Sequence, residues 1–106
     1  MAATQAKLAP ATDWEIVVES CYMAAHNFIV AGAEWTGVPH PQSHKHAANV
    51  SLLQRAAAPQ DVREAWDQLE VLRAGNIYGG HTDPAAADEA RQYLATIQRW
   101  ASAKKP

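Results

Sequence analysis

The sequence is poor in the residues that stabilise folds other than packed helices. It contains a single cysteine, Cys21, so no disulfide can form within the chain, and we expect a reducing, cytoplasmic location. One phenylalanine and few β-branched residues disfavour a β-sheet. No stretch approaches the roughly 20 apolar residues that span a bilayer. Residues 1–10 carry no apolar run, so we expect neither a signal peptide nor a membrane anchor.

An excess of charge of one sign is also lacking. Nine Lys and Arg residues stand against eleven Asp and Glu residues, which gives a formal net charge of −2. This balance argues against a protein whose whole surface binds nucleic acid or anionic lipid, although a local basic cleft stays compatible with it. At 106 residues the chain has the length of one domain with its own core.

Alanine is the commonest residue, with triplets at residues 56–58 and 85–87. Because alanine is the best helix former and a poor strand residue, the composition predicts an all-α protein. Small side chains let helices approach closely, so we expect the four tryptophans to supply much of the bulk of the core.

Apolar residues recur at spacings of three and four in four segments, each bounded by residues that start or stop helices. We predict helices over residues 13–37, 44–57, 61–75 and 84–102, with Asp83 as the cap of the last. Residues 1–12 are predicted to form a frayed tail and residues 103–106 a basic tail. The short connections predict an antiparallel up-and-down four-helix bundle, with room for a fifth short helix.

The apolar stripes of these helices predict the core. The predicted core positions are Trp14, Val18, Cys21, Ala25 and Phe28 on the first helix, Ala47, Val50, Leu53 and Ala57 on the second, Val62, Ala65, Trp66, Leu69 and Leu72 on the third, and Ala87, Ala90, Leu94, Ile97 and Ala101 on the fourth. The second stripe is weakly hydrophobic, so we expect that helix at the edge of the core.

The segment that follows the third apolar stripe holds the densest set of reactive side chains. Arg73, Asn76, Tyr78 and His81 lie within nine residues, and a guanidinium, an amide, a phenol and an imidazole together can bind phosphate and move protons. The structural alternative is that Arg73 caps the helix end or pairs with Glu70, while the glycines form the C-terminal cap.

The histidines allow a second kind of chemistry. His40, His44 and His46 crowd one proline-rich loop, and three imidazoles can hold zinc. However, His44 and His46 are two residues apart at a helix start and therefore point to different sides. Solvated or capping histidines are thus favoured over a metal site, and we predict neither a metal nor a cofactor. His26, in the middle of the first helix, is interpreted as a partly buried packing residue.

Four features in order carry a family resemblance. Residues 21–26 read CYMAAH, residues 37–44 read GVPHPQSH, residues 72–79 read LRAGNIYG, and a fourth helix follows Asp83 and Pro84. In this order and spacing, over residues 13–102, the chain resembles the HEPN domain family. The resemblance implies a helical bundle, commonly dimeric, with a cleft across the dimer axis. Many relatives work beside a minimal nucleotidyltransferase in toxin–antitoxin or defence pairs.

The resemblance leads to a functional prediction with two alternatives. We expect a dimeric subunit that binds a nucleotide or RNA through Arg73, Asn76, Tyr78, His44 and Lys45, beside a nucleotidyltransferase partner. The first alternative is a metal-independent ribonuclease. Active relatives use an Arg as the charge stabiliser and a following His as the acid or base, which maps onto Arg73 and His81.

His81 follows Arg73 by eight positions, further than in active relatives, and Ala74 replaces their polar residue. These departures leave ribonuclease activity as an alternative only. The second alternative is a purely structural homodimer, joined through the first and fourth helices by Trp14, Phe28 and Trp100.

Overall fold

A computed structural model describes residues 2–38, 46–74 and 84–106, with side chains from residue 16 onward. Within these ranges the chain forms four α-helices and no strand. The helices are α1 (Ala2–Trp35), α2 (His46–Arg55), α3 (Gln60–Ala74) and α4 (Pro84–Lys104). The prediction of an all-α helical bundle is confirmed.

The predicted helix boundaries agree best where the sequence holds a specific stop or start signal. Helix α1 ends two residues before Gly37, and α4 begins at Pro84, as expected of proline at a first helical position. The start of α1 differs, because the helix extends to Ala2 through residues predicted as a frayed tail. Alanine, glutamine, lysine and leucine in that segment are strong helix formers.

Two helices end in the same hydrogen-bonded turn. After α1, the amide of Gly37 donates to the Glu34 carbonyl and that of Val38 to the Ala33 carbonyl, both at 2.9 Å. After α2, Ala57 occupies the position that Gly37 has after α1. Its φ is 55°, in the left-handed region that favours glycine. The backbone amides at both ends thereby satisfy carbonyl groups that the helices leave open.

The core lies between α1 and the other three helices, and α1 packs most extensively against α4. The stripes predicted for α1, α3 and α4 are largely buried, with Trp66 of α3 fully enclosed. Trp100 of α4 is also buried, and its ring lies against the backbone of Gly32 in α1. Trp100 therefore joins α1 to α4 within one chain. The Trp14 side chain lies outside the described residues.

The predicted inner face of α2 is partly wrong. The residues buried there are Asn49, Leu52 and Leu53, whereas Ala47 and Ala57 are exposed. Asn49 is completely buried, and its amide oxygen lies 3.0 Å from Nδ1 of His26 in α1. The inward face of α2 therefore differs from the predicted hydrophobic stripe, because a buried amide must face its hydrogen-bond partner. His26 itself is partly buried, as predicted.

One segment of α1 corrects the expectation that no stretch has the length and composition of a membrane span. Ile16–Trp35 comprises 20 residues with a mean hydropathy of 1.3. Only Glu19 and Glu34 carry charge within it. Core helices of soluble proteins have the same property, and this segment packs its buried face against the other three helices. The fold is consistent with a soluble protein.

The outward face of α1 carries few charges: Glu19 is paired with Arg73, and Glu34 is exposed near the end of the helix. Between residues 16 and 33 its exposed side chains are Ile16, Ser20, Met23 and Asn27, which we call the outer stripe. Ile16 and Met23 are 53% and 41% exposed. By contrast, the exposed side of α3 is rich in Asp, Glu and Arg, as is usual for a solvated helix.

Candidate functional site

Arg73 is the predicted site residue whose surroundings the structure describes. It lies in the last turn of α3 and reaches across to α1, where its Nε donates to Oε2 of Glu19 at 3.2 Å. The Arg73 side chain keeps 30% of its surface exposed, and that of Glu19 keeps 41%. Arg73 thus forms its ion pair with a residue of α1, whereas the structural alternative from the sequence paired it with Glu70 of α3.

The guanidinium of Arg73 is also held by an aromatic ring. Its central carbon lies 4.6 Å from the centroid of the Tyr22 ring, within the range of a cation–π contact. Partial burial acts to lower the pKa of Arg73, but the hydrogen bond and charge of Glu19 outweigh it and raise the pKa. Arg73 is therefore a fixed, permanently charged donor at the surface.

Tyr22 connects Arg73 to a second carboxylate. Burial, and then the charge of Glu70 in α3 and its interaction with the phenol, raise the pKa of Tyr22 to about 12. Glu70 Oε2 is buried and has no hydrogen-bond partner among the described residues. Tyr22 is consequently a neutral phenol across the physiological range, and Arg73 is flanked by Glu19 and Glu70.

Beneath Arg73, stacked rings join three helices. The Tyr22 ring stacks on Trp66 with centroids 4.6 Å apart, and the His46 ring stacks on Trp66 at 5.4 Å. Trp66 Nε1 donates to the His46 backbone carbonyl at 3.1 Å. We call His46, Trp66, Tyr22 and Arg73 the stacked series. It fixes the base of the Arg73 site to the first residue of α2.

His46 has a structural role in the described part of the chain. Its Nε2 lies 3.0 Å from Oδ1 of Asp67, so the imidazole bridges the start of α2 to α3. No group of three or more His, Cys, Asp and Glu residues is arranged to hold a metal ion within the described ranges. Cys21 is buried in the core, and that burial raises the pKa of its thiol although Arg91 opposes the shift.

Most of the predicted ligand-binding residues fall outside the described residues. These are His44, Lys45, Asn76, Tyr78 and His81. Neither Tyr22 nor Glu19 was singled out as a site residue from the sequence. The spacing of these residues could have revealed them. Glu19 and Tyr22 are three residues apart, as are Glu70 and Arg73, so each pair shares one helix face.

A second concavity lies between α3 and α4, with a volume of about 550 Å³. It is lined by Asp61, Glu64, Ala65, Gln68, Tyr93 and Thr96. Its lining has two carboxylates, no cationic side chain and none of the residues predicted to bind a ligand, whereas the Arg73 site holds a guanidinium. The Arg73 site is therefore the stronger candidate for an anionic ligand.

Comparison with known proteins gives no family assignment. No family model matches the chain, and neither the curated proteins nor the solved structures give a match. The chemistry of the Arg73 site is thus the basis for a functional proposal.

Proposed function

We propose that this chain is a HEPN-like, antiparallel up-and-down bundle that dimerises and binds RNA or a nucleotide beside Arg73. In this proposal it is the helical subunit of a toxin–antitoxin or defence pair, and a minimal nucleotidyltransferase is its partner. The proposal rests on the sequence resemblance and on one observation, the oriented and partly exposed guanidinium of Arg73.

The guanidinium of Arg73 is the group of this site that can recognise a phosphate. Glu19 engages Nε, and the two terminal amino groups of the guanidinium hydrogen-bond none of the described residues. A guanidinium edge of this kind matches two phosphate oxygens. The contact with Tyr22 and the bond to Glu19 hold the guanidinium in place before a ligand arrives, so little side-chain entropy is lost on binding.

Replacing Arg73 with alanine is expected to weaken binding of a single-stranded oligoribonucleotide by about 10- to 100-fold, the value of a charge-assisted hydrogen bond. Arg73→Lys keeps the charge but loses the planar fork, so an intermediate loss is expected. Fluorescence anisotropy of a labelled oligomer at low salt, with EDTA present, measures the affinity. Arg63→Ala removes an exposed arginine from the same helix and serves as the matched control.

Equal losses in the Arg73 and Arg63 variants would contradict the proposal, since general electrostatics would then explain the binding. Cleavage of the oligomer during incubation, abolished by Arg73→Ala and by His81→Ala, would favour the ribonuclease alternative. Circular dichroism of each variant establishes that the helical content is retained.

The dimer is inferred from the outer stripe of α1. Ile16 and Met23 are seven residues apart, so they lie along one line of the helix, and the charge beside that line, Glu19, is paired with Arg73. In the most apolar window of Ile16–Trp35, 39% of the residues are buried within the chain. A second copy is the occupant we propose. Because Glu19 falls between Ile16 and Met23, such a partner would lie beside Arg73, at a cleft between the two copies.

Met23→Glu is expected to raise the dimer dissociation constant at least tenfold, because the introduced carboxylate would be buried against the second copy. Sedimentation equilibrium at micromolar concentration measures this constant. Ala47→Glu introduces the same charge at an exposed position of α2 and should leave it unchanged. A monomeric wild-type protein, or equal effects of the two variants, would refute the proposed interface.

A further inference from the structure

We propose that the Glu19 carboxylate gives the Arg73 site its preference for RNA over DNA, by accepting a hydrogen bond from a ribose 2′-hydroxyl. This inference rests on the proposed function, because it assigns a specificity role within the same site. Glu19 is here a specificity-determining residue and takes no part in any bond-making step.

The local charge argues for a ligand that brings a hydrogen-bond donor. Glu19 and Glu70 flank the single guanidinium of Arg73, so the described site formally carries one more negative than positive charge. A phosphate alone would gain attraction from Arg73 and meet repulsion from the carboxylates, above all from Glu19, which lies 3.2 Å from the Arg73 Nε. A ligand that also donates to a carboxylate converts part of that repulsion into a hydrogen bond.

The two carboxylates are not equivalent. Glu70 interacts with the Tyr22 phenol, and its Oε2 is buried. Glu19 is 41% exposed, and only its Oε2 contacts Arg73 among the described residues, so its carboxylate retains capacity for a donor from solvent or ligand. Glu19 is therefore the acceptor that a ligand can reach.

RNA carries the required pair of groups side by side. Each ribose presents a 2′-hydroxyl next to its 3′-phosphate, and this hydroxyl is the group by which proteins tell RNA from DNA. With the phosphate on the free edge of Arg73, the adjacent hydroxyl has Glu19 as a neighbouring acceptor. A deoxyribonucleotide offers the phosphate but no donor, so it meets the Glu19 charge uncompensated.

The test compares three oligomers of one sequence: RNA, DNA with uracil in place of thymine, and RNA with 2′-O-methyl groups. Wild-type protein is expected to bind RNA about tenfold or more tightly than either analogue, as one hydrogen bond to a charged group predicts. Glu19→Ala should bring the RNA-to-DNA affinity ratio close to one. Glu19→Gln, which keeps an acceptor but removes the charge, should strengthen DNA binding and lower the ratio.

Glu89→Gln removes an exposed carboxylate from α4 and is the control for net charge, since it should change all three affinities equally. A ratio that Glu19→Ala and Glu19→Gln leave unchanged, while Arg73→Ala still weakens RNA binding, overturns the role of Glu19 alone. Equal binding of RNA and its 2′-O-methyl analogue by the wild-type protein also overturns the role of Glu19. If the Arg73 variants bind RNA as tightly as the wild-type protein does, the proposed function itself is overturned.

Discussion

Replacing Trp66 with alanine is expected to lower the free energy of unfolding by about 3–5 kcal/mol, the range for a buried aromatic side chain. The Trp66 side chain is completely buried, and it links three helices. Its ring stacks on Tyr22 of α1 and His46 of α2, and its Nε1 donates to the His46 carbonyl. Truncation would remove the packing, the stacking and the hydrogen bond together.

The loss would be a large part of the total, because domains of this size are stable by only about 5–15 kcal/mol. Thermal unfolding should shift downward by at least about 12 °C, at about 4–8 °C for each kcal/mol. Unfolding in urea, monitored by far-ultraviolet circular dichroism at a fixed protein concentration, measures the change. The concentration must be fixed because dimerisation would contribute to the apparent stability.

Two further variants separate the causes. Trp66→Phe keeps most of the apolar volume and loses the hydrogen bond, so a smaller loss is expected than for alanine. Trp35→Ala makes the same chemical change at a position that is 39% exposed, and a loss below about 1 kcal/mol is expected there. Similar losses for Trp35→Ala and Trp66→Ala would show that the stacked series does not stabilise the fold.

The fold was predictable where local rules and burial agree. Gly37 and the pair Asp83 and Pro84 carry their own backbone preferences, so the end of α1 and the start of α4 follow directly from residue type. On α3, the stripe containing Trp66 is strongly amphipathic, and its inner face is as predicted. These features depend on neighbours within a few positions of the chain.

The inner face of α2 depends on a distant residue, and hydrophobic periodicity misses it. Asn49 ranks as polar, so a pattern of apolar residues places it outside. In the structure it is buried because His26, 23 residues earlier in the chain, supplies its partner. Prediction of the Arg73 site from the sequence is limited in the same way. Arg73 was identifiable from its setting at a helix end, but its contact with Glu19 joins residues 54 positions apart.

Placing a methyl group on Gly32 is expected to destabilise the protein by about 1–2 kcal/mol, although alanine is a better helix former than glycine. A Cβ atom built on Gly32 would lie 2.5 Å and 2.8 Å from two carbons of the Trp100 ring. That ring is rigid and its residue is 93% buried, so it cannot turn aside, and α1 and α4 would have to separate. Valine at the same position should cost more, because its branches add to the overlap.

Because Trp100 lies so close to Gly32, whether Gly32→Ala stabilises or destabilises the protein should depend on the side chain at position 100. In a Trp100→Leu background the ring is absent, and Gly32→Ala should become neutral or stabilising by up to about 1 kcal/mol from helix propensity. Urea unfolding of the four proteins in this double-mutant cycle measures the coupling between the two positions. The shape of the ring, rather than glycine itself, would then explain the cost in the parent protein.

Gly37 provides the control for a glycine whose role is conformational. Its φ is +85°, and no atom lies within 4 Å of a Cβ built there. Gly37→Ala should cost about 1 kcal/mol through the left-handed backbone alone, and equally in both Trp100 backgrounds. If Gly32→Ala were likewise unaffected by Trp100→Leu, the contact between α1 and α4 would not limit the side chain at Gly32. A change of sign at Gly32 with additivity at Gly37 would identify Trp100 against the α1 backbone as the contact that sets the spacing of the two longest helices.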